Sequence, residues 1–138
     1  MRIFGNDQAV YSWVRVPSYL CGWSNILHGG ITSALLDEIM GWAGMYSLRK
    51  CVLTKSIMVN YLKPVYMDVE LRVEGRVLEV KNAREVVVEG LLYGSEDTLC
   101  ASAISTMATF PVEVLEKLGI APDEEAVANY KNIFEMEH

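Results

Sequence analysis

Two carboxylates, Asp37 and Glu38, interrupt a run from Gly29 to Gly44 that is otherwise apolar or small. His28, Gly29 and Gly30 stand at the head of that run. An acid in apolar surroundings is costly to keep charged unless it has a partner or a use. The first N–H groups of a helix lack intrahelical partners, and the helix dipole adds partial positive charge there. Glycine lets a ligand approach such a backbone closely. Gly29 and Gly30 therefore describe a socket for an oxyanion. Asp37 lies two turns further on and shares a face with Ser33, Gly41 and Gly44, a small stripe open to a ligand or another chain. It suits general-base or nucleophilic work. Glu38 points about 100° away around the helix. Plainer readings of the same residues stand beside these: an ordinary tight helix start, and a solvent-facing stripe marked by Asp37.

Other chemistries are poorly served. The histidines are His28 and the terminal His138. A Ser-His-Asp or Cys-His hydrolase would have to use His28, and neither Ser24 nor Cys21 sits in a nucleophile elbow. His28 reads more readily as the residue that holds the glycine turn in shape. A zinc site lacks ligands, and no phosphate-loop or dinucleotide glycine pattern occurs. Cys21, Cys51 and Cys100 are odd in number and lack metal-like spacing, as expected of reduced thiols in a cytoplasmic protein. The net charge of −6 argues against nucleic acid. Yet eight of the twelve basic residues lie between Arg49 and Arg84, against four acids. That concentration is either a solvated face or a patch for an anionic small ligand. MRIFGNDQAV has no apolar signal core, and no stretch reads as a membrane span.

The elements must position these groups within 138 residues, a length that suits one domain. Residues 9–16 are β-rich and end at Pro17; residues 17–27 read as a loop. Ile31, Ala34, Leu35, Ile39, Trp42, Met45 and Tyr46 recur at the helical period, and Leu36, Met40 and Ala43 fill much of the remaining wheel. A helix apolar nearly all round should be buried nearly all round. Strands are expected at 51–62, 65–80, 84–94 and 99–110, with turns at Lys81–Asn82 and 95–98. In the second strand Asp68, Glu70, Arg72, Glu74 and Arg76 alternate with Val69, Leu71, Val73 and Val77. A short helix at 111–118 and an acidic helix at about 122–135 would close the chain. The expected architecture is α+β, a long central helix in the concave face of a curved antiparallel meander of about five to six strands. Trp13, Trp23, Trp42 and Tyr46 are candidates either for core or for an aromatic-friendly pocket.

His28-Gly29-Gly30 with Asp37 nine residues after the His resembles the HGG motif of hotdog-fold acyl-CoA thioesterases, in the flavour of the phenylacetate-pathway and 4-hydroxybenzoyl-CoA enzymes. VNYLKPV, residues 59–65, resembles the end of that family's strand after the helix. The resemblance covers about residues 9–110 of a single domain, with 111–138 as a helical tail. It implies a thioester hydrolase for a small or medium acyl- or aryl-CoA. Asp37 would be general base or nucleophile, and the Gly29 N–H would polarise the thioester carbonyl beside His28 and Gly30. It implies that these two groups come from different subunits, so that the protein is a homodimer or homotetramer with acyl-CoA as its partner. It implies no cofactor, coenzyme A being part of the substrate. Thr54 matches a position where some members carry a hydroxyl near the substrate. Ser33 on the helix face is a further substrate-binding candidate. Many members carry Asn or Gln six residues before the motif His; here that residue is Gly22, and Asn25 is the polar residue that would stand in. Lys63, Lys81 and Arg84 are candidates for the CoA phosphates. A non-catalytic acyl-CoA or small-ligand binder on the same fold is the rival reading, with Gly22 as its support.

Overall fold

The computed structural model describes residues 1–17, 19, 21–23 and 25–117. One long helix, α1 (Gly29–Leu48), lies on a six-stranded antiparallel sheet. The sheet is built from β1 (Phe4–Gly5), β2 (Val10–Arg15), β5 (Cys51–Tyr61), β6 (Glu70–Asn82), β7 (Glu85–Tyr93) and β8 (Leu99–Phe110). A separate ribbon pairs β3 (Cys21–Trp23) with β4 (Ile26–Leu27). A short helix α2 (Val112–Lys117) follows β8. The acidic helix expected at 122–135 lies outside the described residues.

The strand order is β1-β2-β6-β7-β8-β5. Only β6, β7 and β8 form a meander; β5 does not pair with β6, its successor, but crosses to the far side of β8. The expected continuous meander is thereby corrected. Lys63–Pro64 ends β5 without a tight turn, so nothing local forces a hairpin there. The loop expected at 17–27 holds the β3–β4 ribbon, and its strand residues were too few to show an alternation. Asp68 and Val69 fall before β6, because Asp68 takes a left-handed backbone, φ 57°, in the preceding turn. The β6–β7 turn is at Ala83–Arg84 rather than Lys81–Asn82, and the Asn82 side chain caps it by accepting from the Arg84 N–H at 2.8 Å.

A row of small residues decides where α1 sits. Gly75 on β6 pairs directly with Gly90 on β7, which pairs with Ala103 on β8. A Cβ on Gly75 would stand 2.6 Å from the Ile39 carbonyl oxygen, and one on Gly90 would stand 2.9 Å from Met40 Cγ. The missing side chains make a trough into which the middle of the helix settles. Leu36, Ile39 and Met40 are fully buried there against Val73, Val86, Val88, Leu92 and Met107. Each contributes about 1.5–3 kcal/mol on transfer from water. Arg49 stops the helix in a left-handed conformation, φ 56°, its N–H returning to Met45 O.

The helix is not covered all round by its own chain. Ala34, Glu38 and Ser47 are exposed, and Ile31, Leu35 and Trp42 are only half-buried. The sheet encloses one side of a rod whose apolar surface extends further round. Trp13, Trp42 and Tyr46 do not share one environment. Trp13 lies 48% exposed, edge-on to Phe4, and alternates with Ser12 and Val14, which point inward; Tyr46 is buried in the core.

Candidate active site along the central helix

The start of α1 has three of its N–H groups occupied. His28 is the N-cap, and its Nδ1 accepts from the Gly30 N–H at 2.9 Å. The His28 carbonyl accepts from Ile31 N–H at 2.9 Å and from Thr32 N–H at 3.2 Å. The Gly29 N–H has no hydrogen-bond partner among the described residues. Gly29 borders an open cleft of about 290 Å3 whose walls include Ile26, Leu27, Thr32, Tyr61 and Lys63. Of the two candidate glycines, Gly29 therefore has the unoccupied donor, and Gly30 spends its own on the cap. The imidazole has the acceptor role that shapes the turn.

Asp37 is half-buried, and its Oδ1 accepts from Thr54 Oγ1 at 2.7 Å. Thr54 precedes an irregularity in the β5–β8 ladder, where Lys55 is the extra residue. Such a bulge re-aims the side chains around it. Glu38 faces away and accepts from Trp42 Nε1 at 3.0 Å, a bond within the helix surface. Gly41 and Gly44 are approached by Val52 of the same chain: added Cβ atoms would stand 4.0 and 3.0 Å from its side chain. Val52 of β5 thus lies close against Gly44 and reaches Gly41 only at the edge of contact.

Ser33 and Tyr61 were not linked by sequence, yet their hydroxyls meet at 2.5 Å. The Tyr61 hydroxyl also donates to the Gly29 carbonyl at 2.9 Å. Tyr61 is the residue that sequence reasoning missed. It stands within VNYLKPV, but only the path of β5 beside α1 shows what it touches. Helix residues Gly29, Ser33 and Asp37 recur at four-residue steps, and β5 answers them with Tyr61 and Thr54.

The remaining candidates are dispersed. Asn25 is exposed at the β3–β4 turn, where its carbonyl accepts from Met67 N–H. Lys63 is exposed at the cleft. Lys81 and Arg84 are exposed at the β6–β7 tip, beside the Cys51 end of β5 and away from Lys63, and Lys81 stands 3.8 Å from Glu85. One chain does not bring the three cations together. No group of three His, Cys, Asp or Glu suited to a metal occurs among the described residues. Within those residues no helix is long and apolar enough to cross a membrane.

The family model of the thioesterase superfamily matches residues 24–101, from before the His28 cap to the third residue of β8. The chain belongs to the thioesterase superfamily. Solved structures of similar fold include a hypothetical thioesterase protein from Streptococcus pneumoniae determined with coenzyme A. It is 23% identical with a TM-score of 0.72, and the match covers 80% of this chain and 88% of that one. A Streptococcus mutans protein bound to acetyl CoA is 23% identical with a TM-score of 0.70, covering 80% and 94%. A further thioesterase superfamily protein is 22% identical with a TM-score of 0.68, covering 72% of this chain. This chain spans 48% of that protein's length. Comparison with curated proteins gives no match. These likenesses agree with the hotdog architecture, a long helix on a six-stranded antiparallel sheet.

Proposed function

We propose that this thioesterase superfamily chain hydrolyses a small or medium acyl- or aryl-CoA thioester. The observation that carries the reading is the Gly29 N–H at the head of α1, without a hydrogen-bond partner among the described residues, beside an open cleft, on a helix that also carries Asp37. In this mechanism the Gly29 N–H and the helix dipole hold the thioester oxygen as negative charge develops on it. Asp37 either takes a proton from a water that attacks the carbonyl carbon, or attacks that carbon itself to give a mixed anhydride that water opens; in both routes the C–S bond breaks, the CoA thiolate leaves, and it takes up the proton that the water gave. The Thr54 hydroxyl fixes one carboxylate oxygen and leaves the other for this work. Coenzyme A in the streptococcal structures supports the choice of thiol carrier.

One chain is not enough for this chemistry. Eight residues separate Gly29 from Asp37, about 12 Å along a helix, too far for both to touch one carbonyl group. The proposed active unit is a dimer built across the edge of β5. That strand is an unpaired edge of 11 residues carrying exposed Leu53, Ile57 and Met58. Such an edge invites a second strand. Antiparallel pairing of β5 with its own copy, about a two-fold near Ile57–Met58, sets the Tyr61 end of one strand against the Thr54 end of the other. Gly29 of one copy then faces Asp37 of the partner subunit. The same operation brings Lys63 of one copy toward Lys81 and Arg84 of the partner subunit, a shared cationic rim for CoA phosphates.

The test is release of free thiol from a panel of acyl- and aryl-CoA esters by wild type and Asp37→Asn. The variant should lose about 10²–10⁴-fold in kcat, the usual worth of a positioned base, while remaining folded. Full activity in Asp37→Asn would sink the assignment. Thermal stabilisation by CoA with no turnover across the panel would favour the binding protein instead.

A further inference from the structure

We propose that Tyr61 is a positioning residue that holds the Gly29 oxyanion donor in place. The proposal rests on the thioesterase reading above and deepens it. Two consecutive glycines at a helix start are the least restrained backbone a chain can have, and an oxyanion donor is effective only when preorganised. The peptide unit joining Gly29 to Gly30 is held at both edges. Its N–H donates to His28 Nδ1 at 2.9 Å, and its carbonyl accepts from the Tyr61 hydroxyl at 2.9 Å. The Tyr61 ring also lies against Gly29, where an added Cβ would stand 3.5 Å from ring carbons. The preceding peptide unit, which carries the free Gly29 N–H, is held on its carbonyl side by Ile31 and Thr32.

Tyr61 is itself tied down. Its single proton goes to the Gly29 carbonyl, so in the 2.5 Å contact with Ser33 it is the serine hydroxyl that donates. The chain Ser33 to Tyr61 to Gly29 runs in one direction, and each bond polarises the next. Within the single chain Tyr61 is 57% exposed at the cleft wall, so packing against its own core does not account for its position; its two hydroxyl bonds and its contact with Gly29 do. Through this clamp β5 sets the angle of the donor while Thr54 on the same strand sets the carboxylate.

The experiment compares wild type, Tyr61→Phe and Ser33→Ala in two readouts: kcat and KM on the best ester of the panel, and hydrogen exchange of the Gly30 amide followed by 15N spectra. Tyr61→Phe keeps the ring and removes only the hydroxyl. It should lower kcat about 10-fold or more with KM changed less than about threefold, the signature of lost orientation rather than lost binding. Its Gly30 amide should exchange about threefold faster or more, with the melting temperature little changed. Ser33→Ala should move both readouts the same way by less. Wild-type kcat in Tyr61→Phe, or a fall in kcat matched by an equal fall in melting temperature with Gly30 exchange unaltered, would overturn the proposal. If wild type turns over no ester, the thioesterase reading fails. The exchange readout then decides the clamp alone: faster Gly30 exchange upholds it, and unaltered exchange overturns it.

Discussion

Adding one methyl group at Gly75 should displace the helix on which the whole site is mounted. A Cβ there would stand 2.6 Å from the Ile39 carbonyl oxygen, 3.1 Å from the Ile39 carbonyl carbon and 3.1 Å from Ala43 Cβ. Ordinary contact begins at 3.4 Å, so α1 must retreat by about 0.8 Å. The obstacle is helix backbone, which cannot rotate away as a side chain can. Overpacking of this kind costs about 1–3 kcal/mol even after the gain from restricting the unfolded glycine. For a chain of this size that is about 4–10 °C in melting temperature. Gly90→Ala is the control. Its Cβ would meet Met40 Cγ at 2.9 Å, Met40 Sδ at 3.2 Å and Leu36 Cδ2 at 3.3 Å, all side-chain atoms rather than backbone. It should lower the midpoint by less than Gly75→Ala does, because core side chains can repack where helix backbone cannot. Differential scanning calorimetry at one protein concentration separates the two. Because α1 carries Gly29, Ser33 and Asp37, its retreat should also stretch the 2.7 Å bond to Thr54 and lower thioester turnover in Gly75→Ala alone. A Gly75→Ala protein melting within about 2 °C of wild type, or a Gly90→Ala protein that falls as far, would refute the steric reasoning.

The other predictions concern the edge and the surface charges. Ile57→Lys puts like charges beside the two-fold of the proposed β5 pairing. It should give a folded monomer by light scattering with thioester turnover lost; an active monomer would refute the composite site. Glu85 is held below the ordinary glutamate range by its bond to Lys55 at 2.6 Å, with a smaller contribution from Lys81. A carboxylate depressed in the fold lends stability above its unfolded pKa and loses it as pH falls through the folded value. The melting-temperature gap between wild type and Lys55→Met should therefore be present at pH 7 and close as the pH drops below about 4. A gap independent of pH would show that Lys55 acts by packing alone.

The helix was legible because its signals are local. A 3.6-residue apolar period, a His-Gly-Gly start and an acid two turns on are spacings along one element, and α1 runs from Gly29 to Leu48 as that period requires. The strands β6 through β8 were legible for the same reason, β6 by its alternation, with boundaries displaced where Asp68 adopts a left-handed turn and the Ala83–Arg84 turn succeeds Asn82. Pairing was not legible. Nothing between Tyr61 and Glu70 states that β5 passes its neighbour in sequence and lies against β8, since that choice is made by burial of the whole sheet against one helix. Yet this crossing is what brings Thr54 to Asp37 and Tyr61 to Ser33 and Gly29. It also leaves β5 as a long apolar edge. Residue types and their spacing determined the long helix, its His-Gly-Gly start and the strands that follow. Only the tertiary structure decided which strand lies beside the helix, that the Gly30 N–H is occupied while the Gly29 N–H has no partner among the described residues, and that Gly44 makes room for Val52. The physical reason is that hydrogen-bond satisfaction and close packing are properties of contacts between elements, and a sequence records them only after the elements have met.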